Sequence, residues 1–312
     1  FFVDVWLPEG TDVLETEDRV ARLEQAVLDM DAVESVTSVI GGGAQRFTLT
    51  YSPEDSYASF GQLIVETADR DSREARMEEV IRLLRRDFPS VQYKVKPLQV
   101  GPSSKASLEA RLYGPDPEVL RRLADRVRSV FEAEPLADSV RLSWSNRVSV
   151  IEPAFLDEQA RRVGVTRDAL HQALLINNDG EQVGVYREGS ELIPILLRAE
   201  ERQRHDLDDL HALNVWSEEQ SSYVSAGTVL GPLTTQQRDP LIKRRDRQRM
   251  LAVYAEPMPL SGETAASVLA RLRPGVEAIE LPPGYRLEWG GEYQTSREAQ
   301  QALFSSLPLG LL

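Results

Sequence analysis

The stretch FVDVWLPEGTDVLETEDRVARLEQAVL, residues 2–28, changes its periodicity near its middle and thereby sets the fold. Residues 2–7 are typical of a β-strand, and the turn at residues 8–10 ends it. Thr11 or Asp12 can cap the helix that follows. Its apolar residues recur at helical spacing, at Val13, Val20, Leu23 and Val27. We therefore predict a strand followed directly by an amphipathic helix.

The alternation of strands and helices continues to about residue 100. A second helix is predicted to begin at a cap formed by Asp71 or Ser72 and to end at Phe88. Three more strands are predicted, at residues 33–40, 60–66 and 91–98. The resulting order, β-α-β-β-α-β, is that of the ferredoxin-like fold.

A second copy of this order is interrupted. Its first half is predicted at residues 107–113 (strand), 117–133 (helix) and 139–144 (strand), and its second half at 250–256 (strand), 262–280 (helix) and 285–289 (strand). The piece between the halves is about a hundred residues long, which is the size of a domain. Within it, two short helices meet near Gly164, and a hairpin turns at residues 188–189.

These patterns predict an α+β chain made of two ferredoxin-like units and an insertion. The first unit covers residues 1–100, and the second is split into residues 101–145 and 250–292. An α+β insertion takes residues 146–249, and residues 293–312 form an exit segment. The last eleven residues carry no charge but are fewer than the roughly 20 that span a bilayer. They fit a frayed tail, a buried terminal helix or the start of a truncated membrane helix, and we favour the last of these.

Composition excludes several classes of function. Thirty-six basic against 50 acidic side chains give a net charge of -14, which disfavours nucleic acid as a partner because phosphate binding requires a basic face. The absence of cysteine excludes disulfides and thiolate metal sites. The basic run at residues 243–249 is better explained as a strand paired with acidic neighbours or with a partner subunit than as a nucleic-acid site.

No catalytic, cofactor or metal site is predicted. The glycines at residues 41–43 lack the order of a phosphate-binding loop, so a hinge or flexible loop is the favoured explanation. His171, His205 and His211 lack the spacing of a zinc site or of a catalytic triad. The four methionines are dispersed, whereas soft-metal transfer requires clustered thioethers.

Several segments resemble the second periplasmic loop of resistance-nodulation-division (RND) exporters of the acriflavine-resistance type. Residues 2–11 resemble the strand and turn that open the first porter subdomain, and residues 33–36 resemble the strand before the switch loop. ARRVGVT at residues 160–166 resembles the family's helix-break-helix in the docking subdomain. Residues 240–249 and 284–291 resemble the return strand and the exit to the membrane. The resemblance covers essentially the whole chain.

The resemblance implies a proton-driven antiporter in the inner membrane of a Gram-negative bacterium, which exports amphiphilic or toxic compounds. The family's proton-carrying residues lie in membrane helices, so this periplasmic part would supply a substrate cleft, a docking surface and trimer contacts, without catalysis and without a cofactor. Residues 1–100 and the split unit would be porter subdomains, and residues 146–249 the docking subdomain. The implied partners are the first periplasmic loop and membrane helices of the same transporter, two further copies, a periplasmic adaptor, an outer-membrane channel and small amphiphilic substrates.

The implied site is a cleft between the two porter subdomains. Its expected lining is Phe2, Asp4, Trp6, Thr37, Val39, Gln92, Lys94 and Arg141, and its switch loop contains Gly41, Gly42, Gly43 and Arg46. Arg141 falls where the family tends to carry an arginine of the entrance pocket. A glycine-rich loop instead of a phenylalanine-rich one, together with Lys94 and Lys96, departs from the multidrug pumps and leaves room for anionic or amphiphilic substrates. The alternative is a free-standing sensor module that binds a small ligand.

Overall fold

The computed structural model describes residues 1–47, 51–98, 105–200 and 209–306. The chain forms two compact units. The core unit combines Phe1–Val148 with Asp239–Leu312, and the inserted unit is Ser149–Arg238. The predicted insertion, 146–249, is wider than the inserted unit, because residues 244–249 pair with the core unit's second sheet.

The chain begins with β1 (Phe2–Trp6), α1 (Val13–Leu28), β2 (Val33–Ile40), β3 (Phe60–Thr67), α2 (Arg70–Asp87) and β4 (Gln92–Lys96). It continues with β5 (Leu108–Tyr113), α3 (Pro117–Glu132), β6 (Ala137–Leu142), β7 (Val148–Phe155), α4 (Asp157–Val163), α5 (Arg167–Asn178), β8 (Glu181–Glu188) and β9 (Glu191–Leu197). Then come α6 (Asp209–Ala212), β10 (Asn214–Ser217), β11 (Ser222–Ser225), a 3₁₀ turn (Ala226–Thr228), β12 (Leu230–Arg238), β13 (Arg244–Arg245), β14 (Gln248–Pro257), α7 (Ala265–Glu277), β15 (Arg286–Gly291) and α8 (Glu292–Ser306).

The first six elements form the N-subdomain, a four-stranded antiparallel sheet in the order β2-β3-β1-β4. Both helices cover the same face. Their stripes pack on β1, β3 and β4 in one core, with Val20, Leu23, Val27, Met77, Val80 and Leu84 buried against Val3, Val5, Leu63, Val65 and Val95. Because alternate residues of a strand point to opposite faces, this packing directs Phe2, Asp4 and Trp6 away from the helices.

The split subdomain repeats this architecture with strands that are distant in sequence. β14 pairs with both β5 and β6, and β15 pairs with β5, which gives the order β6-β14-β5-β15. The order matches that of the N-subdomain strand for strand. Its core includes Leu108, Leu112, Leu120, Val127, Phe131, Trp144, Leu251, Val253 and Leu272. The prediction of two ferredoxin-like units, the second split by an insertion, is confirmed.

Helix starts follow local hydrogen bonding. Asp12, one of the two residues predicted to cap α1, does so: its Oδ1 accepts a hydrogen bond from Leu14 N at 2.8 Å. The predicted cap of α2 is wrong: the helix begins at Arg70, because Asp69 Oδ1 accepts from Ser72 N at 2.7 Å. Asp71 and Ser72 therefore lie in its first turn.

The inserted unit contains α4 and α5, the hairpins β8–β9 and β10–β11, and the pair β7–β12. Gly164 ends α4 with φ 63°, at the predicted break between two short helices, and Thr166 caps α5. A small core of Ala160, Val165, Leu170, Val215, Ala226, Val229 and Leu230 holds these elements together. The predicted hairpin is formed by β8 and β9.

Large apolar side chains are exposed on this hairpin. They are Val183, Val185, Tyr186, Leu192, Ile193, Ile195, Leu196 and Leu197. Strand alternation places apolar residues on both faces of the two-stranded β8–β9 sheet, so this hairpin is an adhesive surface.

We expect the isolated chain to be a monomer or a weak dimer. Its net charge of -14 makes copies repel one another at low salt, whereas the exposed apolar side chains of the hairpin β8–β9 favour weak self-association. Sedimentation equilibrium over a range of protein concentrations measures this directly. A tight trimer that persists on dilution would contradict the prediction.

At the C-terminal end, α8 extends the chain to Ser306. Among the helices that the structure describes, none is both long and apolar enough to cross a membrane. Residues 307–312 lie outside the described residues, so the start of a membrane helix within 293–312 remains a prediction.

Candidate functional site

The N-subdomain sheet has one apolar face, which packs against the helices, and one face with polar side chains. Asp4 on β1 lies directly opposite Gln62 on β3 and Lys94 on β4, so all three side chains share the face away from the helices. Trp6 lies opposite Gln92 in the same way. Four residues of the expected cleft lining, Asp4, Trp6, Gln92 and Lys94, therefore share one face of the sheet.

Two small cavities lie between this face and the split subdomain. The larger, of about 90 Å³, is lined by Phe2, Asp4, Trp6, Tyr51, Ser52, Pro53, Glu54, Lys94, Lys96, Pro97, Leu98, Lys105 and Arg141. The smaller, of about 40 Å³, shares Trp6 and Arg141 with it and adds Gln92 and Tyr254. Since one water takes about 30 Å³ of liquid, the larger cavity has room for only a few waters.

The predicted cleft residues divide into two groups. Phe2, Asp4, Trp6, Lys94 and Arg141 line the larger cavity, and Gln92 lines the smaller one. The structure does not bring the other two to either cavity. Thr37 is exposed on the edge strand β2, and Val39 packs near Phe2.

The predicted switch loop follows β2. Gly41, Gly42, Gly43 and Arg46 line neither cavity, and Arg46 is exposed. The residues that reach the cavity come later in the same loop, at 51–54. A Cβ on Gly43 would lie 2.5 Å from Glu54 N, so glycine is required where the two sides of the loop meet.

The loop after β2 contains the aromatic residues Phe47 and Tyr51 in addition to its glycines. Tyr51 stacks on Phe2 at 5.4 Å between ring centroids and on Phe47 at 5.0 Å. Burial, as the largest cause, raises the pKa of the Tyr51 hydroxyl. Two of these rings, Phe2 and Tyr51, line one end of the larger cavity.

Gln62 ties the loop to the sheet, and the sequence analysis missed it. Its Nε2 donates to Asp4 Oδ1 at 2.6 Å, and its Oε1 accepts from Ala44 N at 3.0 Å and Tyr51 Oη at 2.8 Å. Lys96 Nζ lies 3.1 Å from the other Asp4 oxygen. The available signal was a lone amide within the apolar strand 60–65, which is costly to bury unless it is hydrogen-bonded.

A buried ion pair joins the two subdomains at the floor of the cleft. Lys94 Nζ contacts Glu256 Oε1 and donates to Lys105 O at 3.2 Å. Burial lowers the pKa of Lys94, against the attraction of Glu256. Burial alone would raise the pKa of Glu256, but the charge and hydrogen bond of Lys94, the Ser107 N–H and the charge of Arg141 outweigh it and lower that pKa.

Sequence analysis also missed Glu256. It follows Tyr254 by two positions on β14, and strand alternation places both on the face opposite the helices. That alternation was readable from the sequence. What was not readable is the partner strand, because β14 and β4 come together only through the fold.

Arg141 is the cation of the cleft with spare hydrogen-bonding capacity. Its guanidinium lies over the rings of Trp6 (4.5 Å) and Tyr254 (5.2 Å), and its Nη2 donates to Lys105 O at 2.9 Å. The residue is only 7% exposed, and its buried Nη1 has no hydrogen-bond partner among the described residues. A donor in this position costs free energy unless an acceptor reaches it.

The lining of the larger cavity is positive on balance. Lys94, Lys96, Lys105 and Arg141 contribute four positive charges, against Asp4 and Glu54. The lysines have acidic partners in Glu256, Asp4, Glu54 and Asp55, whereas none of the ion pairs within the described ranges involves Arg141. The site thus combines apolar rings with an unpaired cation, which suits an acceptor group attached to an apolar body.

Within the parts of the chain that the structure describes, no three His, Cys, Asp or Glu side chains lie close enough together to hold a metal ion. His171 and His211 belong to α5 and α6 of the inserted unit, and His205 lies outside the described residues.

The sequence model of the AcrB/AcrD/AcrF family matches residues 1–312, which is the entire chain. The chain belongs to this family. The resemblance to RND exporters noted from sequence motifs is thereby confirmed.

Several relatives carry the names of metal-resistance proteins. The nickel and cobalt resistance protein CnrA of Cupriavidus metallidurans is 25% identical over 305 residues, which cover 92% of this chain and 27% of CnrA. The nickel-cobalt-cadmium resistance protein NccA of Alcaligenes xylosoxydans xylosoxydans is 24% identical over 302 residues (92% and 27%). The cobalt-zinc-cadmium resistance protein CzcA of C. metallidurans is 22% identical over 215 residues (67% and 20%). The chain thus spans about a quarter or less of these relatives.

A solved structure shares the fold. Crystal form II of a heavy metal efflux pump superimposes with a TM-score of 0.81 at 18% identity, covering 99% of this chain and 32% of that one. The TM-score shows that the two proteins share an architecture. A sequence identity of 18% carries no information on the substrate of this chain.

Proposed function

We propose that this chain is the periplasmic substrate-binding and docking portion of a proton-driven efflux pump in the inner membrane of a Gram-negative bacterium. The observation that carries the proposal is the cleft between two porter subdomains, with the unpaired Nη1 of Arg141 beside Trp6 and Tyr254. Family membership over the whole chain supports a transporter rather than a free-standing sensor. In this proposal the chain itself performs no catalysis.

The division of labour follows the fold. The N-subdomain and the split subdomain act as the porter pair, and the inserted unit acts as the docking subdomain. The exposed apolar hairpin β8–β9 supports a docking role, because such a surface is normally covered in an assembly. The partners are two further copies in a trimer, a periplasmic adaptor, an outer-membrane channel, and the remaining parts of the same transporter.

The proposed substrates are amphiphilic compounds with an anionic group. The anionic group would accept from Arg141 Nη1, and the apolar body would contact Phe2, Trp6 and Tyr254. An acceptor that reaches a buried guanidinium forms a charge-assisted hydrogen bond, which is stronger than a neutral one.

Metal cations are the second candidate, and the names of the relatives favour them. The lining of the cleft is unfavourable for a cation, because the acidic groups in and beside it (Asp4, Glu54, Asp55 and Glu256) are already paired with lysines, whereas none of the ion pairs among the described residues involves Arg141. A positive surface repels a divalent ion at short range. The cleft geometry therefore supports the anionic amphiphile better.

Reversal of the charge at Arg141 distinguishes anionic amphiphiles from metal cations as the substrates. In the pump that carries this chain, Arg141→Glu should lower resistance to dodecyl sulfate by about tenfold or more, since a hydrogen bond to a charged group contributes about 1.5–3 kcal/mol. Resistance to dodecyl maltoside and dodecyltrimethylammonium, which have the same tail, should change less. Growth assays with equal expression of the variants measure this.

The matched control is Arg128→Glu, because Arg128 lies on α3 with its side chain 40% exposed. It should leave all three resistances unchanged. Equal losses for all three detergents with Arg141→Glu, or no loss, would contradict the assignment. Resistance to cobalt or nickel without resistance to any detergent would favour the second candidate.

A further inference from the structure

The N-subdomain and the split subdomain meet across a polar interface. Among the described residues, each cluster of buried apolar side chains in these subdomains draws on one of them only. Side chains that reach across are mainly charged: Lys94 to Glu256, Arg85 to Asp138, Lys105 to Glu54 and Asp55, and Arg141 over Trp6. Polar interfaces between domains resemble transient ones, because charged groups regain water when the surfaces part.

Burial distinguishes one of these ion pairs. The side chains of Lys94 and Glu256 are 7% and 13% exposed, whereas in the pair of Arg85 with Asp138 only the carboxylate is buried, at 7%, and Arg85 is 49% exposed. The side chain of Lys105 is 47% exposed. Exposed ion pairs contribute little, since water and salt screen them. The Lys94–Glu256 pair therefore dominates the electrostatics of the interface.

Both members of this pair are held in place by further hydrogen bonds. Ser107 N donates to Glu256 Oε2 at 3.2 Å, and Lys94 Nζ donates to Lys105 O at 3.2 Å. Strand pairing fixes their backbones, with Lys94 opposite Asp4 in one sheet and Glu256 on β14 in the other. The two charges thus meet in only one relative position of the two sheets.

A buried ion pair has an asymmetric energetic effect. The pair itself adds little net stability, because desolvation offsets the attraction, but removal of one partner leaves a costly lone charge. Such a pair favours one relative position of two surfaces without binding them strongly. That combination suits a contact that must form and break repeatedly.

We propose that the Lys94–Glu256 ion pair is a latch that holds the two porter subdomains in the closed position and keeps the cleft small. The cavity of about 90 Å³ is far below the roughly 300–1,000 Å³ of small-molecule sites, so an amphiphile needs a wider cleft than the one in which the latch is formed. The use of this opening for export rests on the proposed function, whereas the latch itself is a property of this chain.

Distances between spin labels test the latch directly. The chain has no cysteine, so Ala75→Cys on α2 and Arg126→Cys on α3 introduce two unique, exposed labelling sites, one in each subdomain. Glu256→Gln leaves the Lys94 charge buried without a counter-charge, and the subdomains should part to let water reach it. Pulsed electron paramagnetic resonance should show a longer and broader distance distribution, with the open population raised by about tenfold or more.

Three controls accompany this variant. Lys94→Met combined with Glu256→Leu removes both charges, and the distances should return toward those of the parent, because an apolar pair of similar volume is tolerated. Asp55→Asn breaks a pair of the same interface whose two side chains, Lys105 and Asp55, are 47% and 60% exposed, and it should leave the distances unchanged. Labels at Ala21→Cys and Ala75→Cys, both within the N-subdomain, should report the same distance in every variant.

Unchanged distances in a folded Glu256→Gln variant would overturn the latch. A change between the two labels within the N-subdomain would overturn it as well, because the ion pair would then hold the fold rather than the interface. Neither result bears on the export proposal, since the measurement involves no transport. Conversely, a negative detergent experiment would leave the distance measurement standing.

Discussion

Replacement of Trp144 by alanine should lower the free energy of unfolding by about 3–5 kcal/mol, the range for large aromatic residues in cores. Trp144 is fully buried in the core of the split subdomain. Its Nε1 donates to Met250 O at 2.8 Å, a bond between residues 106 positions apart. The indole therefore joins the chain before the insertion to the chain after it. Urea unfolding followed by circular dichroism measures the loss.

Hydrogen exchange shows where that loss acts. In Trp144→Ala, amides of β5, β6, β14 and β15 should lose protection together, because they form one sheet around the indole. Amides of the N-subdomain should keep theirs, since its core is separate. The matched control is Trp216→Ala, which removes an indole that is 45% exposed and should cost little. Loss of protection on only one side of the insertion would refute the idea that the two segments fold as one sheet.

Most of the fold could be predicted because the signals are local. The change of period at residues 8–13 fixes β1 and α1, and the same change recurs at the other strand-helix junctions. The second half of the split subdomain was also predictable, because β14, α7 and β15 complete the β-α-β-β-α-β order that β5, α3 and β6 begin. Errors occur where two caps compete, as at α2, since Asp69 and Asp71 are equally plausible from sequence alone.

The cleft was only partly predictable, because it depends on pairs that sequence spacing does not encode. Strand alternation was enough to select Asp4, Trp6 and Lys94. Gln62 and Glu256 were missed because each acquires its role from a partner on another strand. A lone polar residue in a buried strand predicts that some polar partner lies nearby, but the sequence does not show which residue that partner is.

A second large effect is expected at Glu109. Its carboxylate takes two hydrogen bonds from Arg111, at 2.8 and 2.7 Å, and one from Gly291 N at 3.1 Å. Both side chains of the ion pair are 9% exposed. Glu109→Gln keeps the shape but leaves the guanidinium with only partial compensation from Glu288, so the free energy of unfolding should fall by about 3 kcal/mol.

This network closes β15 onto β5 at the point where α8 begins. Gln294 on α8 also accepts from Arg111, at 2.6 Å, so the loss should spread to the start of that helix. Chemical denaturation measures the stability, and hydrogen exchange at residues 286–295 measures the spread. The control is Glu132→Gln, which breaks an exposed pair with Arg128 on α3 and should cost no more than about 0.5 kcal/mol. If the two substitutions cost the same, the buried network contributes no more than a surface ion pair, and α8 must be held in place by its apolar contacts, with Tyr293 packed against the core of the split subdomain.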